Sequence, residues 1–320
     1  MFELWDRLWD RVTGIVQNTL LNPDTLPPLI FLGLIVLIAF HRKGYRFTWP
    51  RRLLESVGVN ASFYILNVFF GPLVYIMTDV VRSGYQTLGI PSVDPAFWSQ
   101  VPAWVLIPFA ILCFDFVNYW NHRLMHMKWL WPVHAIHHSD PEVNGATTYR
   151  IHFLEAFVMN ASYIVLLSWM GFPTGVMGLG AVAIGIHNIY VHLDIDWSHG
   201  PFRLLLASPR YHRWHHADEP AAYGKNLANI FPFFDVLFGT YRVPGPCDAP
   251  LGAQGVPQND LVKLWLFPFV EWSKQISDLF KSGKGENPDQ SSALDPVFAA
   301  VASGDDPVAN KKGPEVHPGL

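Results

Sequence analysis

The chain has 320 residues, half of them hydrophobic and only 15% charged, where ordinary soluble domains carry about a quarter charged. Its 22 Lys+Arg against 26 Asp+Glu leave a net charge of -4, which excludes a nucleic-acid binder steered by basicity. Cys113 and Cys247 are the only cysteines, so neither a disulfide framework nor a cysteine-ligated zinc site is available.

In chain order, Trp5, Leu8, Trp9, Val12, Ile15 and Val16 recur at helical spacing while Asp6, Arg7, Asp10 and Arg11 fall elsewhere. This predicts an interfacial amphipathic segment over residues 1–25, and with no basic stretch ahead of an apolar core it does not read as a cleavable signal peptide. Four nearly charge-free stretches follow, at residues 26–40, 57–78, 101–119 and 153–191. A helix crosses about 30 Å of hydrocarbon with roughly 20 residues, so each is a candidate span. Gly71-Pro72 should kink the second, and Asn60 and Asn67 within it need partners. Gly171-Phe-Pro-Thr-Gly175 reads as a tight turn that splits the last stretch into a helical hairpin. The basic flank at residues 41–52, with Arg42, Lys43, Arg46, Arg51 and Arg52 and no acid, marks a cytoplasmic loop. Threading the spans from there brings every histidine-rich segment to the cytoplasmic face. The expected fold is an all-α integral membrane helical bundle of about four to five spans with a helical cap on that face. Its membrane-embedded domain covers residues 26–241, an amphipathic segment 242–280, and a disordered tail 281–320 rich in Pro, Gly, Ser and Asp.

Twelve of the 14 histidines lie between His122 and His216. Three clusters hold most of them: His122-Arg-Leu-Met-His126, His134-Ala-Ile-His137-His138 and His212-Arg-Trp-His215-His216. On a helix, positions i, i+3 and i+4 share one face, so each cluster can present its rings together. Eight imidazoles exceed what one metal can use, which points to two metal ions with open coordination positions. His192, where the last span emerges, joins them as a ligand. Asn188, one turn earlier, could reach a metal directly or through water. His187 is one position off that face and reads as a supporting or packing residue, and His152 as a hydrogen-bonded support. His41 and His199 read as plain polar residues. Imidazole alone does not choose the metal. A zinc pair would imply a membrane hydrolase, which wants a carboxylate base as in H-E-x-x-H, absent here. An iron pair implies O2 activation directed at lipid C–H bonds. A metal carrier would want more ionisable residues in the spans than Asp115 and Glu155.

Taken together, these motifs resemble the fatty acid hydroxylase and sterol desaturase superfamily of integral-membrane di-iron oxygenases over residues 110–241. Asp115-Phe-Val-Asn-Tyr119-Trp-Asn-His122-Arg-Leu-Met-His126 is similar to its first block and Leu130-Trp-Pro-Val-His134-Ala-Ile-His137-His138 to its second. Arg150-Ile-His152-Phe-Leu-Glu155, Tyr190-Val-His192 and Ser208-Pro-Arg-Tyr-His212-Arg-Trp-His215-His216 resemble the segments that follow. Asn226 and Asp235-Val-Leu-Phe-Gly239-Thr-Tyr241 resemble the closing motif. The chain departs from the pattern at Leu227-Ala228, in place of an aromatic-glycine pair, and at Phe234, where tryptophan is common. The resemblance implies that His122, His126, His134, His137, His138, His192, His212, His215 and His216 hold two irons, with Asp115, Arg150 and Asp235 orienting them. It further implies hydroxylation or desaturation of a lipid (sterol, fatty acyl, ether lipid or carotenoid) by O2. No dinucleotide fingerprint or haem-binding domain is visible, so electrons are expected from a separate cytochrome b5, ferredoxin or reductase.

Overall fold

A computed structural model describes residues 51–283, together with single positions in the first 50. The expected N-terminal amphipathic segment, the first candidate span, His41 and the tail beyond 283 lie outside the described residues. Among those described, nine α-helices and three short 3-10 helices make up the regular structure, with a single isolated bridge between Ala217 and Leu251 and no strand. They are α1 (Arg51–Thr87), α2 (Pro95–Trp98), α3 (Ala103–Met125), α4 (Trp131–His138), α5 (Phe153–Met170), α6 (Thr174–Val191), α7 (Pro209–His215), α8 (Phe233–Phe238) and α9 (Leu261–Gly283).

Among the described residues three helices are long and apolar enough to cross a membrane: α1 over Arg51–Phe70, α3 over its whole length, and α5. α6 is apolar too, with a shorter stretch at Gly175–Val191. By length and composition these helices fit an integral membrane protein. α1 continues through Gly71-Pro72 as one element to Thr87, well past the apolar stretch. The asparagines of α1 find the partners a span demands. Asn60 Nδ2 donates to Asp140 Oδ2 at 3.1 Å, and Asn67 Nδ2 to the Ile151 carbonyl at 2.6 Å.

The hairpin of α5 and α6 turns at Gly171, whose φ of 62° is the left-handed conformation that ends a helix. No larger residue fits there, because a Cβ would lie 2.0 Å from the Val93 carbonyl oxygen. The same turn is tied to the loop before α3: Val93 N–H donates to Trp169 O at 2.9 Å and Trp98 Nε1–H to Met170 O at 2.8 Å. Around these bonds Trp98, Leu106, Ala110, Phe114, Leu167 and Phe172 form a buried apolar cluster. This end is closed by tight turns, so α3 and α6 run from it to the opposite end, where both finish in histidine: His126 caps α3 and His192 caps α6.

At that opposite end the cap is assembled. All eight residues of α4 are buried. Its apolar side, Trp131, Ala135 and Ile136, packs with Val59 and Phe63 of α1 and with Leu264 and Phe267 of α9. α9 runs to Gly283, three residues into the segment expected to be disordered tail. α7 starts on Ser208, whose hydroxyl accepts from Tyr211 N–H at 3.2 Å, with Pro209 in the first turn, where its missing N–H costs nothing.

Candidate metal centre

Two long helices and two short ones carry the histidines to one point. α3 supplies His122 and His126, α4 supplies His134, His137 and His138, the end of α6 supplies His192, and α7 with its cap supplies His212, His215 and His216. The rings sort into two sets. His122, His126, His134, His138 and His215 form one, and His137, His192, His212 and His216 the other; within each set the ligand atoms lie within 4.8 Å of one another. The sets adjoin, with the ring centres of His138 and His216 4.6 Å apart. Eight of these nine histidines are buried and His122 is partly buried.

In seven of the nine rings Nε2 faces the Nε2 of another ring. His134 Nε2 lies 3.0 Å from His122 Nε2 and 3.2 Å from His138 Nε2. His192 Nε2 lies 2.9 Å from His212 Nε2, 3.2 Å from His137 Nε2 and 3.3 Å from His216 Nε2. Nε2 of His126 and of His215 are buried without a protein partner. The outer nitrogens settle which ring atoms carry protons. His122 Nδ1–H donates to Leu227 O at 2.8 Å, His215 Nδ1–H to Lys225 O at 2.8 Å and His192 Nδ1–H to Asn188 O at 2.6 Å. His134 Nδ1 sits 2.8 Å from Glu155 Oε1. A neutral imidazole protonated on Nδ1 presents a bare lone pair at Nε2. His122, His192 and His215, each donating through Nδ1 to a carbonyl, thus present a bare Nε2 lone pair that can take a cation.

Burial holds these rings neutral. Desolvation pushes His126, His134, His137, His138, His212, His215 and His216 well below the ordinary histidine range, and neighbouring rings add to the effect. His192 is brought down to about 4 by the same burial. Neutral imidazole is the form that binds a metal. The donor set, all nitrogen and no thiolate, fits iron or another borderline metal.

The expected supporting residues act one step further out than the motif comparison implies. Among the described residues Asp115 accepts no hydrogen bond from an imidazole; its carboxylate accepts the backbone N–H groups of Asn229, Ile230 and Phe231 at 2.7–3.0 Å. Asp235 accepts from the N–H groups of Leu227 and Ala228, from Thr240 Oγ1 and from the Tyr211 hydroxyl. These two carboxylates shape the loop whose Lys225 and Leu227 carbonyls hold His215 and His122. Asn226 serves the same loop from a left-handed φ of 58°, donating to the carbonyls of Tyr211 and Arg242. Leu227, Ala228 and Phe234, where the chain departs from the motif, are buried together against Tyr119. Arg150 donates to Ile136 O, Ser139 Oγ and Gln258 O, pinning the end of α4 instead of orienting a ring.

His152 is no ligand, because both of its nitrogens are occupied: Nδ1 accepts from Leu154 N–H and caps α5, and Nε2 meets Trp265 O at 3.2 Å. Asn188 serves His192 with its backbone oxygen. His187 joins neither set and lies beside Tyr190. His199 bonds the Tyr190 hydroxyl and Leu206 O. Glu155 is the contact that motif reasoning passed over. Its signal was present, as the one charged residue between 153 and 191, and an acid inside a span is costly unless it has a partner.

The family model for fatty acid hydroxylase matches residues 107–240. An ornithine lipid hydroxylase of Rhizobium tropici is 33% identical over 244 residues, covering 71% of this chain and 70% of its own. The chain belongs to the fatty acid hydroxylase family. Alkylglycerol monooxygenase of Homo sapiens is 25% identical over 60% of the chain, which spans 42% of that longer protein. Methylsterol monooxygenase 2-2 of Arabidopsis thaliana is 30% identical over 49% of the chain and 59% of its own length. No solved structure matches the chain.

Proposed function

We propose that the protein is a membrane-bound non-haem di-iron oxygenase that hydroxylates or desaturates a C–H position of a lipid. The observation that carries this reading is the convergence of nine histidines in two adjoining sets, with Nε2 atoms facing one another at 2.9–3.3 Å. The five-histidine set would hold one iron and the four-histidine set the other. Two irons bound there supply the activation of O2. The chain's own residues keep the imidazoles neutral by burial, hold four of the nine by their outer nitrogens through carbonyls and Glu155, and exclude bulk water. A hydroxylation balances as one lipid C–H, one O2, two electrons and two protons giving one alcohol and one water; a desaturation uses the same O2 and electrons and releases two waters.

The relatives' names speak of ornithine lipid, alkylglycerol and methylsterol, and the site lies where apolar helices end, so a bilayer lipid is the substrate class. Electrons come from a separate cytochrome b5, ferredoxin or reductase. The basic flank at residues 41–52 supports a cytoplasmic placement of the histidines. Against a zinc hydrolase stands the absence, among the described residues, of any carboxylate within either set; Glu155 sits behind His134, on its outer nitrogen.

Metal analysis of protein purified without added metal, followed by O2 uptake with lipid extract and a reductant, tests the reading. About two irons per chain and lipid-dependent O2 uptake are expected. Two zincs with no O2 uptake would overturn it in favour of the hydrolase.

A further inference from the structure

The two histidine sets differ in what stands behind them. In the five-histidine set three outer nitrogens have fixed partners: His122 on Leu227 O, His215 on Lys225 O and His134 on the Glu155 carboxyl. In the four-histidine set only His192 has such a partner, Asn188 O. Nδ1 of His137 and Nδ1 of His216 are buried with none. Glu155 is the only carboxylate paired with a histidine among the described residues, and it is held in the first turn of α5, which His152 caps. A carboxyl on the outer nitrogen fixes ring orientation and raises the basicity of the ligand nitrogen, and losing such a partner typically costs about 10–100-fold in metal affinity. A ring with no outer partner has neither advantage.

We propose that Glu155 is a positioning residue that makes the two metal positions unequal: acting through His134, it renders the five-histidine position the tighter one and leaves the four-histidine position exchangeable. This rests on the dimetal reading above. Metal therefore enters the five-histidine set first and leaves it last. Among single substitutions outside the ligands, the one that equalises the two positions is at Glu155.

The test uses the full chain in lipid nanodiscs, stripped of metal and reloaded anaerobically with cobalt(II). Binding is followed by the visible ligand-field spectrum and release by transfer to excess chelator. The wild type should bind two equivalents and release them in a slow and a fast phase. Glu155→Leu should speed the slow phase about 10–100-fold and alter the spectrum of the first equivalent only. Glu155→Gln, which keeps an acceptor oxygen, should fall between, and it decides the matter if the leucine variant does not fold. His216→Ala should remove the fast equivalent and spare the slow one. Release of both wild-type equivalents at one rate, or equal effects of the Glu155 variants on both phases, would overturn this proposal alone. A wild type that binds no cobalt would overturn the dimetal reading with it.

Discussion

At the scale of single residues, the centre depends on neutral imidazole, and two consequences follow. His137 and His215 belong to different sets, so changing either to Ala removes one ligand from one position. Each variant should lose activity by more than about 100-fold and hold less iron than the wild type, read by metal analysis. The second consequence is a pH dependence. His192 binds a proton near pH 6.5 when unfolded and only near about 4 when folded, and the other buried rings outside the spans shift the same way. Between those values the unfolded chain binds more protons. Stability of the metal-free protein is therefore full above about pH 6.5 and falls as pH drops toward 4, by up to about 1.4 kcal/mol per pH unit for each histidine. Thermal melts in detergent at pH 8, 6 and 5 should show this fall. Bound metal should suppress it, because it ties folding to the neutral rings. The convergence of these histidines was legible in the sequence because H-x-x-H-H puts its rings on one helical face. Their partners were not. Carbonyls of Lys225, Asn188 and Leu227 carry no side-chain identity, and the acids that looked like orienting groups, Asp115 and Asp235, turn out to hold backbone N–H groups.

At the scale of elements, two loops decide whether the helices meet. Asp115 projects from α3 into the loop after Asn226 and satisfies three backbone N–H groups. Asp115→Ala would leave those buried donors unpaired, at about 1–3 kcal/mol each. It should lower the melting temperature and, by loosening the loop behind His122, lower iron content too. At the other end, Gly171→Ala forces a left-handed alanine, costing about 1–2 kcal/mol, and drives a Cβ onto the Val93 carbonyl. A sharp drop in folded yield by size-exclusion chromatography is the expected result. The hairpin was visible from Gly171-Phe-Pro-Thr-Gly175, since only that pentapeptide interrupts the apolar run. The reach of α1 to Thr87 was not, because hydropathy ends where Asp79 and Arg82 begin although the helix continues.

At the scale of the molecule, charge poverty and histidine surplus belong to one arrangement: apolar helices run from an end closed by turns to an end where their histidines gather. The loop at Ser92 and the cap at Asp248 are both exposed and belong to opposite ends. With Cys113 and Cys247 replaced by Ser, Asp248→Cys should label with a membrane-impermeant thiol reagent only after cells are opened, and Ser92→Cys in intact cells. The reverse pattern would contradict the cytoplasmic placement. The central claim is tested most directly by comparing, by mass spectrometry, the lipids of cells expressing the wild type with those of cells expressing His137→Ala. A lipid species that gains one oxygen or loses two hydrogens in the wild type alone is predicted. Identical lipids in the two, or products of hydrolysis in place of oxidation, would contradict the account.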